Sequence, residues 1–119
     1  FRSLCSHSRN LTDDMAMELI RRGGFIGLNL CTAFISDEKP AQTVDPLFSH
    51  LDHALALGGE NAIGFGCDID GIGHYPAPLN EEESIHDQLI ELMLKHNYPE
   101  SIVEKVAYKN LLDYFRKNL

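Results

Sequence analysis

Positive charge is scarce in this sequence. Ten lysines and arginines stand against eighteen aspartates and glutamates, a net charge of −8 over 119 residues. Nucleic-acid backbones and anionic membranes both demand a basic face, so neither is expected as a partner. Long apolar runs are missing as well, none approaching the ~20 residues that span a bilayer. The last residues, Tyr114-Phe115-Arg116-Lys117-Asn118-Leu119, form no hydrophobic tail of the kind removed for a lipid anchor. No signal peptide is visible, an absence of little weight in a chain that opens on Phe1 rather than methionine. Cysteine is sparse and odd in number: Cys5, Cys31 and Cys67 are widely spaced, with no Cys-x-x-Cys. That fits neither a disulfide framework nor a structural zinc site. Free thiols in a reducing compartment are the simpler reading, and a cytoplasmic location is expected. There is no internal repeat and no low-complexity segment. What remains, 44% apolar and 24% charged with five prolines, is an ordinary globular composition, long enough for one modest core.

One stretch stands out, Ala62-Ile63-Gly64-Phe65-Gly66-Cys67-Asp68-Ile69-Asp70-Gly71. Its first half reads as a short buried strand, with glycines where backbone or ligand comes close. Its second half sets Asp68 and Asp70 where that strand runs out into a loop, and Gly71 and Gly73 would let the chain turn through positive φ. Ligands of parallel α/β proteins gather at the carboxyl ends of strands. Turn aspartates are common, however, and an Asx-type turn explains the same residues without chemistry. Local physics leaves both readings open.

The remaining pattern is helical with one further strand. Thr12 reads as an N-cap, Asp13 and Asp14 suit a first turn, and Met15, Ala16, Leu19 and Ile20 recur at helical spacing. Arg21 and Arg22 suit the last turn and Gly23 or Gly24 its close. Phe25 to Leu30 reads as a buried strand, and Cys31 to Thr43 as a loop long enough to be functional. A second helix is expected from Thr43 or Val44, with Pro46 in its first turn, a stripe of Leu47, Leu51, Ala54 and Leu55, and Gly58-Gly59 at its end. Strand, helix, strand of these lengths predicts a parallel pair. Asn80 then reads as the cap of a third helix, with Glu81, Glu82 and Glu83 favoured by the dipole rather than gathered for a metal. Pro99 opens a last helical stretch, with a break expected near Lys109 or Asn110. Two strands buried on both faces cannot close a sheet, so the segment reads as a portion of a larger α/β fold.

Six histidines raise the question of a metal. His50 and His53, at i and i+3, could share a helix face, but they have no strand-end partner and read as structural. His86 and His96 lie on a charged helix and read as solvated. His74 reads as the rim of the Asp70 loop, and His7 lies beside Arg9, itself readable as a plain surface cation.

Several of these pieces follow one another in a recognisable order. His7-Ser8-Arg9-Asn10-Leu11-Thr12-Asp13, the strand Gly23 to Asn29, His50-Leu51-Asp52-His53, and Gly64 to Gly71 resemble, in order and spacing, the membrane (renal) dipeptidase family of the amidohydrolase superfamily. The stretch Glu104-Lys105-Val106 through Asn110-Leu111-Leu112 resembles that family's C-terminal helix, so the likeness runs over essentially the whole chain. It implies the C-terminal portion of a (β/α)₈ TIM-like barrel, two parallel strands plus helices, with residues 1–119 part of a single metallo-dependent hydrolase barrel domain. It implies dipeptide hydrolysis using two zinc ions, in which a hydroxide bridging the metals attacks the peptide carbonyl. The zinc ligands of the family fall upstream, the last a few residues before Phe1, so none is assigned within this chain. Arg9 matches the family arginine that binds the substrate's terminal carboxylate, a task a guanidinium fork suits. Asp68 matches the active-site aspartate after the last strand, facing substrate and handling protons. Ser8, Cys67 and Ile69 depart from the usual proline, glycine or serine, and phenylalanine. The partners implied are a dipeptide, the upstream part of the same barrel, and a second copy in a homodimer.

Two other readings compete. Strand-Asp-x-Asp-Gly also resembles the nucleophile loop of haloacid-dehalogenase-like phosphatases, with Asp68 as nucleophile and Asp70 as acid/base. Against it, Ile72 stands where that motif carries Thr or Val, and no later aspartate pair follows to hold magnesium. A family member without its metal ligands would instead be a non-catalytic scaffold.

Overall fold

The computed structural model describes residues 1–38, 43–72 and 84–119. Helix α1, Asp13–Arg21, starts as its sequence dictates, Thr12 Oγ1 accepting the Met15 N–H at 3.2 Å. It ends in a Schellman motif: Gly23, at φ +71°, donates to the Ile20 carbonyl and Gly24 to that of Leu19. Ala16 is buried and Leu19 and Ile20 pack on the core, but Met15 is half exposed and lies outside the expected stripe.

Strand β1, Ile26–Leu28, follows and pairs in parallel with β2, Ile63–Phe65, in the register Ile26↔Ile63, Gly27↔Gly64, Leu28↔Phe65. Both are shorter than the apolar runs that encode them. Neither is covered throughout: Gly27 of β1 is exposed and Phe65 of β2 only half-buried, so one face of the pair is open at that end. Between the strands lies α3, Asp45–Ala56, with Pro46 in its first turn and Leu47, Leu51 and Ala54 buried against the sheet and its neighbours. It closes with the same motif as α1, Gly58 donating to Leu55 and Gly59 to Ala54. The parallel pair expected from strand, helix and strand is therefore present.

The segment read as one loop contains a single helical turn, α2, Thr32–Ile35. Thr32 and Ile35 are both buried, and a turn this short offers no periodicity to read. Helix α4, Ile85–Lys95, is capped by Ser84, whose Oγ accepts the Asp87 N–H at 3.1 Å. The expected cap Asn80 and the glutamates Glu81 to Glu83 lie outside the described residues. Asn97, at φ +61°, takes the place of glycine at the end of α4. Tyr98 then donates its hydroxyl to the Asp52 carboxylate, tying this turn to α3; burial and that carboxylate push the phenol up to about 12.

The last helix is not broken where the sequence reading placed a break. Helix α5, Glu100–Glu104, passes into a π turn, Lys105–Lys109, and on into α6, Asn110–Asn118. The wide turn aims the buried Asn110 side chain at the sheet, where its Nδ2 donates to the carbonyls of Glu60 at 2.8 Å and Ile63 at 2.9 Å. Backbone comes close here too. A Cβ on Gly64 would lie 3.2 Å from the Val106 carbonyl oxygen and 2.8 Å from the Phe25 ring, which is why the strand carries glycine there. Leu111, Leu112 and Phe115 of α6 are exposed among the described residues.

Two buried polar groups make the core sensitive to substitution and to pH. Asn110→Ala strands two inward-facing carbonyls and should cost about 1–3 kcal/mol, the penalty for buried acceptors left unmade. Asn118→Ala, whose exposed side chain bonds only within its own helix, should shift the denaturation midpoint hardly at all.

His50 is 4% exposed, its Nε2–H donating to the Ile35 carbonyl at 2.8 Å and its Nδ1 accepting from the Phe1 backbone nitrogen at 2.6 Å. Burial outweighs the opposing Ile35 hydrogen bond and lowers its pKa from 6.5 to about 4. The unfolded chain thus binds the extra proton first. Stability should be full above pH 6.5, fall by on the order of 3 kcal/mol as the pH drops towards 4, and level off below. Denaturation of His50→Gln against wild type across that range should show the slope flatten in the variant.

Candidate functional site

Because β1 and β2 run in the same direction, whatever follows each strand emerges at one edge. Pairing continues past the strand ends, Gly66 donating to the Leu28 carbonyl at 3.1 Å and Leu30 to that of Cys67 at 3.4 Å. Asn29 and Asp68 are thereby brought side by side, and Asn29 Nδ2 donates to Asp68 Oδ2 at 3.4 Å. The Asn29 amide is itself oriented, its Oδ1 accepting the Cys31 N–H at 2.8 Å.

Asp68 sits in the left-handed region, φ 57° and ψ 38°, one of the few non-glycine residue types that tolerates it. It opens a 3₁₀ turn, Ile69–Gly71, closed by the Gly71 N–H on the Asp68 carbonyl at 3.0 Å. This corrects the role read for Gly71. The positive φ belongs to Asp68, and Gly71 is needed for room, since a Cβ there would lie 2.2 Å from Asp68 Oδ1. Gly73 lies outside the described residues. The carboxylate of Asp68 is exposed and lies back over the turn, while Asp70 is exposed within it.

Arg9 arrives from the first loop. That loop is pinned to α2 by Asn10, whose Nδ2 donates to the Cys5 carbonyl at 3.0 Å and to that of Phe34 at 2.8 Å. It is pinned again by Asp37, which accepts from the Ser6 N–H and hydroxyl; those bonds hold the carboxyl below the usual range. The exposed Arg9 guanidinium lies 5.4 Å from the centre of the Phe34 ring, cation over π face. A pocket of ≈ 200 Å³ opens beside it, lined by Arg9, Asn10, Phe34 and Ile35 and by β1 through Asn29. No hydrogen bond or ion pair joins Arg9 to Asp68 among the described residues. Asn29 lines the same pocket as Arg9 and donates its amide to Asp68.

The described histidines are not gathered at one centre. His50 faces Ile35 and Phe1, whereas His53 Nε2 meets Asp13 Oδ1 at 2.8 Å and Ser3 Oγ at 3.1 Å, holding the Asp13 carboxyl below its ordinary value. Both make hydrogen bonds that tie neighbouring segments together. His86 is not solvated as expected. Its ring lies 4.2 Å from that of Phe65, and its Nε2 lies 3.6 Å from Cys67 Sγ, a thiol that burial pushes up. Cys5, Cys31 and Cys67 are all free. His74 lies outside the described residues. Among the described residues no three His, Cys, Asp or Glu side chains are placed to hold a metal ion, and no helix is long and apolar enough to cross a membrane.

Sequence reasoning missed Asn29 and Phe34. Asn29 reads as part of the strand Phe25 to Leu30 because Leu30 follows it, whereas the ladder ends at Leu28 and leaves Asn29 at the strand end, as Asp68 is at that of the other strand. Phe34 was hidden in a segment with no periodicity.

The family described as membrane dipeptidase, peptidase family M19, matches residues 1–118. Dipeptidase 3 of Macaca fascicularis is 33% identical over 98% of the chain, and that of Homo sapiens 32% identical over the same share. The chain spans only 23% of either relative's length. Among solved structures, a metallopeptidase from Rhodobacter sphaeroides, liganded with a phosphinate mimic of the dipeptide L-Ala-D-Ala, superposes with a TM-score of 0.85. It is 25% identical over 99% of this chain and 34% of its own. Dipeptidase AC, a metallopeptidase of family M19, gives a TM-score of 0.80 at 27% identity, over 92% of this chain and 33% of its own. The parallel strands and their helices are thus a part of the TIM-barrel fold of those enzymes. With a family match over nearly every residue, this chain belongs to the membrane dipeptidase family.

Proposed function

We propose that this chain supplies the substrate-recognition edge of a metallodipeptidase, as the C-terminal part of a single barrel domain. The observation that supports the reading is Asn29, which lines the pocket beside Arg9 and also donates to Asp68. Arg9 presents an exposed guanidinium beside a pocket, steadied by Phe34, and would grip the free carboxylate of a short peptide. Asp68 presents an exposed carboxylate at the edge where parallel α/β proteins do their chemistry, and would hold or deliver the proton at the amide nitrogen being released. Fixing one end of the substrate at Arg9 limits its length and sets the scissile amide against the acid. A dipeptide mimic bound to the Rhodobacter sphaeroides relative supports a dipeptide as the substrate.

The described residues do not fit a metal site. Two zinc ions, expected from the family resemblance, would be held by residues of the barrel outside this chain. Three free thiols fit a cytoplasmic location. Membership of a dipeptidase family removes the support for a phosphatase. A scaffold without metal ligands stays as the outcome that absent activity in the full-length protein would establish.

Arg9→Lys in the full-length protein should lower kcat/KM for a dipeptide roughly tenfold or more, mainly through KM, one charge-assisted bond being lost. The corresponding dipeptide amide has no carboxylate to grip and should lose far less; equal losses would take Arg9 out of the substrate site.

Asp68→Asn is a clean probe because asparagine also tolerates the left-handed backbone. It should lower kcat by on the order of 10²-fold or more. Bound zinc should stay at the wild-type level, and its loss would make Asp68 a ligand instead.

A further inference from the structure

The Asn29 amide is held at both ends by this fold. Its Oδ1 takes the Cys31 N–H at 2.8 Å, which directs the Nδ2 donors towards Asp68. That lock fixes which way the amide faces and removes the flip an unconstrained asparagine could make. On the other side Asp68 has little freedom of its own. Its backbone is left-handed, its carbonyl is tied by Gly71, and its Oδ1 fills the space that a Cβ on Gly71 would occupy. Oδ2 is the oxygen left for Asn29. At 3.4 Å the contact is long, as hydrogen bonds at sites without substrate often are before they tighten.

We propose that Asn29 is a positioning residue for Asp68, its locked amide holding the carboxylate over the strand end beside the Arg9 pocket. The inference rests on the dipeptidase reading for its catalytic consequence, but the contact itself is independent of it. Asn29 also lines the pocket that carries Arg9, so it fixes where the acid stands relative to the carboxylate grip.

Two substitutions separate positioning from folding. Asn29→Ala removes the donor. Cys31→Pro leaves Asn29 in place and removes the N–H that orients it, together with the half-buried thiol; the Cys31 backbone, φ −62°, already has the geometry proline requires. In the full-length protein, kcat and KM for a dipeptide are measured for wild type and both variants, and the placing of the Asp68 carboxylate is read from their crystal structures. Asn29→Ala should turn the Asp68 carboxylate out of its wild-type position. It should lower kcat on the order of tenfold while KM changes less than about twofold. Cys31→Pro should move the carboxylate and kcat in the same directions by less. A carboxylate unmoved in Asn29→Ala overturns the contact, whatever the activity. A moved carboxylate with unchanged kcat overturns the positioning role. If wild type hydrolyses no dipeptide, the functional reading fails, and the carboxylate's position alone decides whether Asn29 governs Asp68.

Discussion

Three residue pairs in parallel register determine the placing of nearly everything else. Ile26, Gly27 and Leu28 lie against Ile63, Gly64 and Phe65, and the shared direction sends Asn29 and Asp68 out at the same edge. An antiparallel pair would have put them at opposite ends. Parallel pairing in turn requires a crossover, which α3 supplies, burying Leu47, Leu51 and Ala54 as it returns. So the helix stripe, the strand register and the meeting of two polar side chains are consequences of one geometric choice.

The parts legible in the sequence were those with a repeating pattern or a stereochemically demanding residue. Thr12 and the Gly-Gly pairs after α1 and α3 marked helix ends, because few residues cap a helix or enter positive φ without cost. The two strands were legible as apolar runs, though only their central residues form the ladder. What escaped was aperiodic or depended on distant chain. One turn of helix at Thr32–Ile35 has no period, and the π turn is defined by what Asn110 reaches fifty residues away in β2 and its approach. His86 on a charged helix looked like a solvated side chain until Phe65 was found beneath it.

Arg9 and Asp68 were reached by resemblance more than by local physics. A lone arginine in a serine-rich lead-in carries no signal of its own, and Asp-x-Asp-Gly reads equally well as a turn. In this geometry the two explanations of Asp68 are compatible. It does close a turn, through its backbone carbonyl, and it does so in a conformation that leaves its carboxylate exposed at the strand edge. One left-handed backbone both closes the turn and leaves the carboxylate open for the role proposed for it.

The π turn at Lys105–Lys109 has a consequence for how this helix tolerates changes in length. A π turn carries about one residue more than the α turn it interrupts, and each residue rotates an α-helix by about 100°. Deleting one residue there would restore regular helix hydrogen bonding and, in the same step, swing Asn110 about a quarter turn from the Glu60 and Ile63 carbonyls. The local backbone would gain and the sheet contact would be lost. Length in this segment is therefore held by the strand it touches rather than by the helix it belongs to, and an indel confined to residues 105–109 would be felt first in β2.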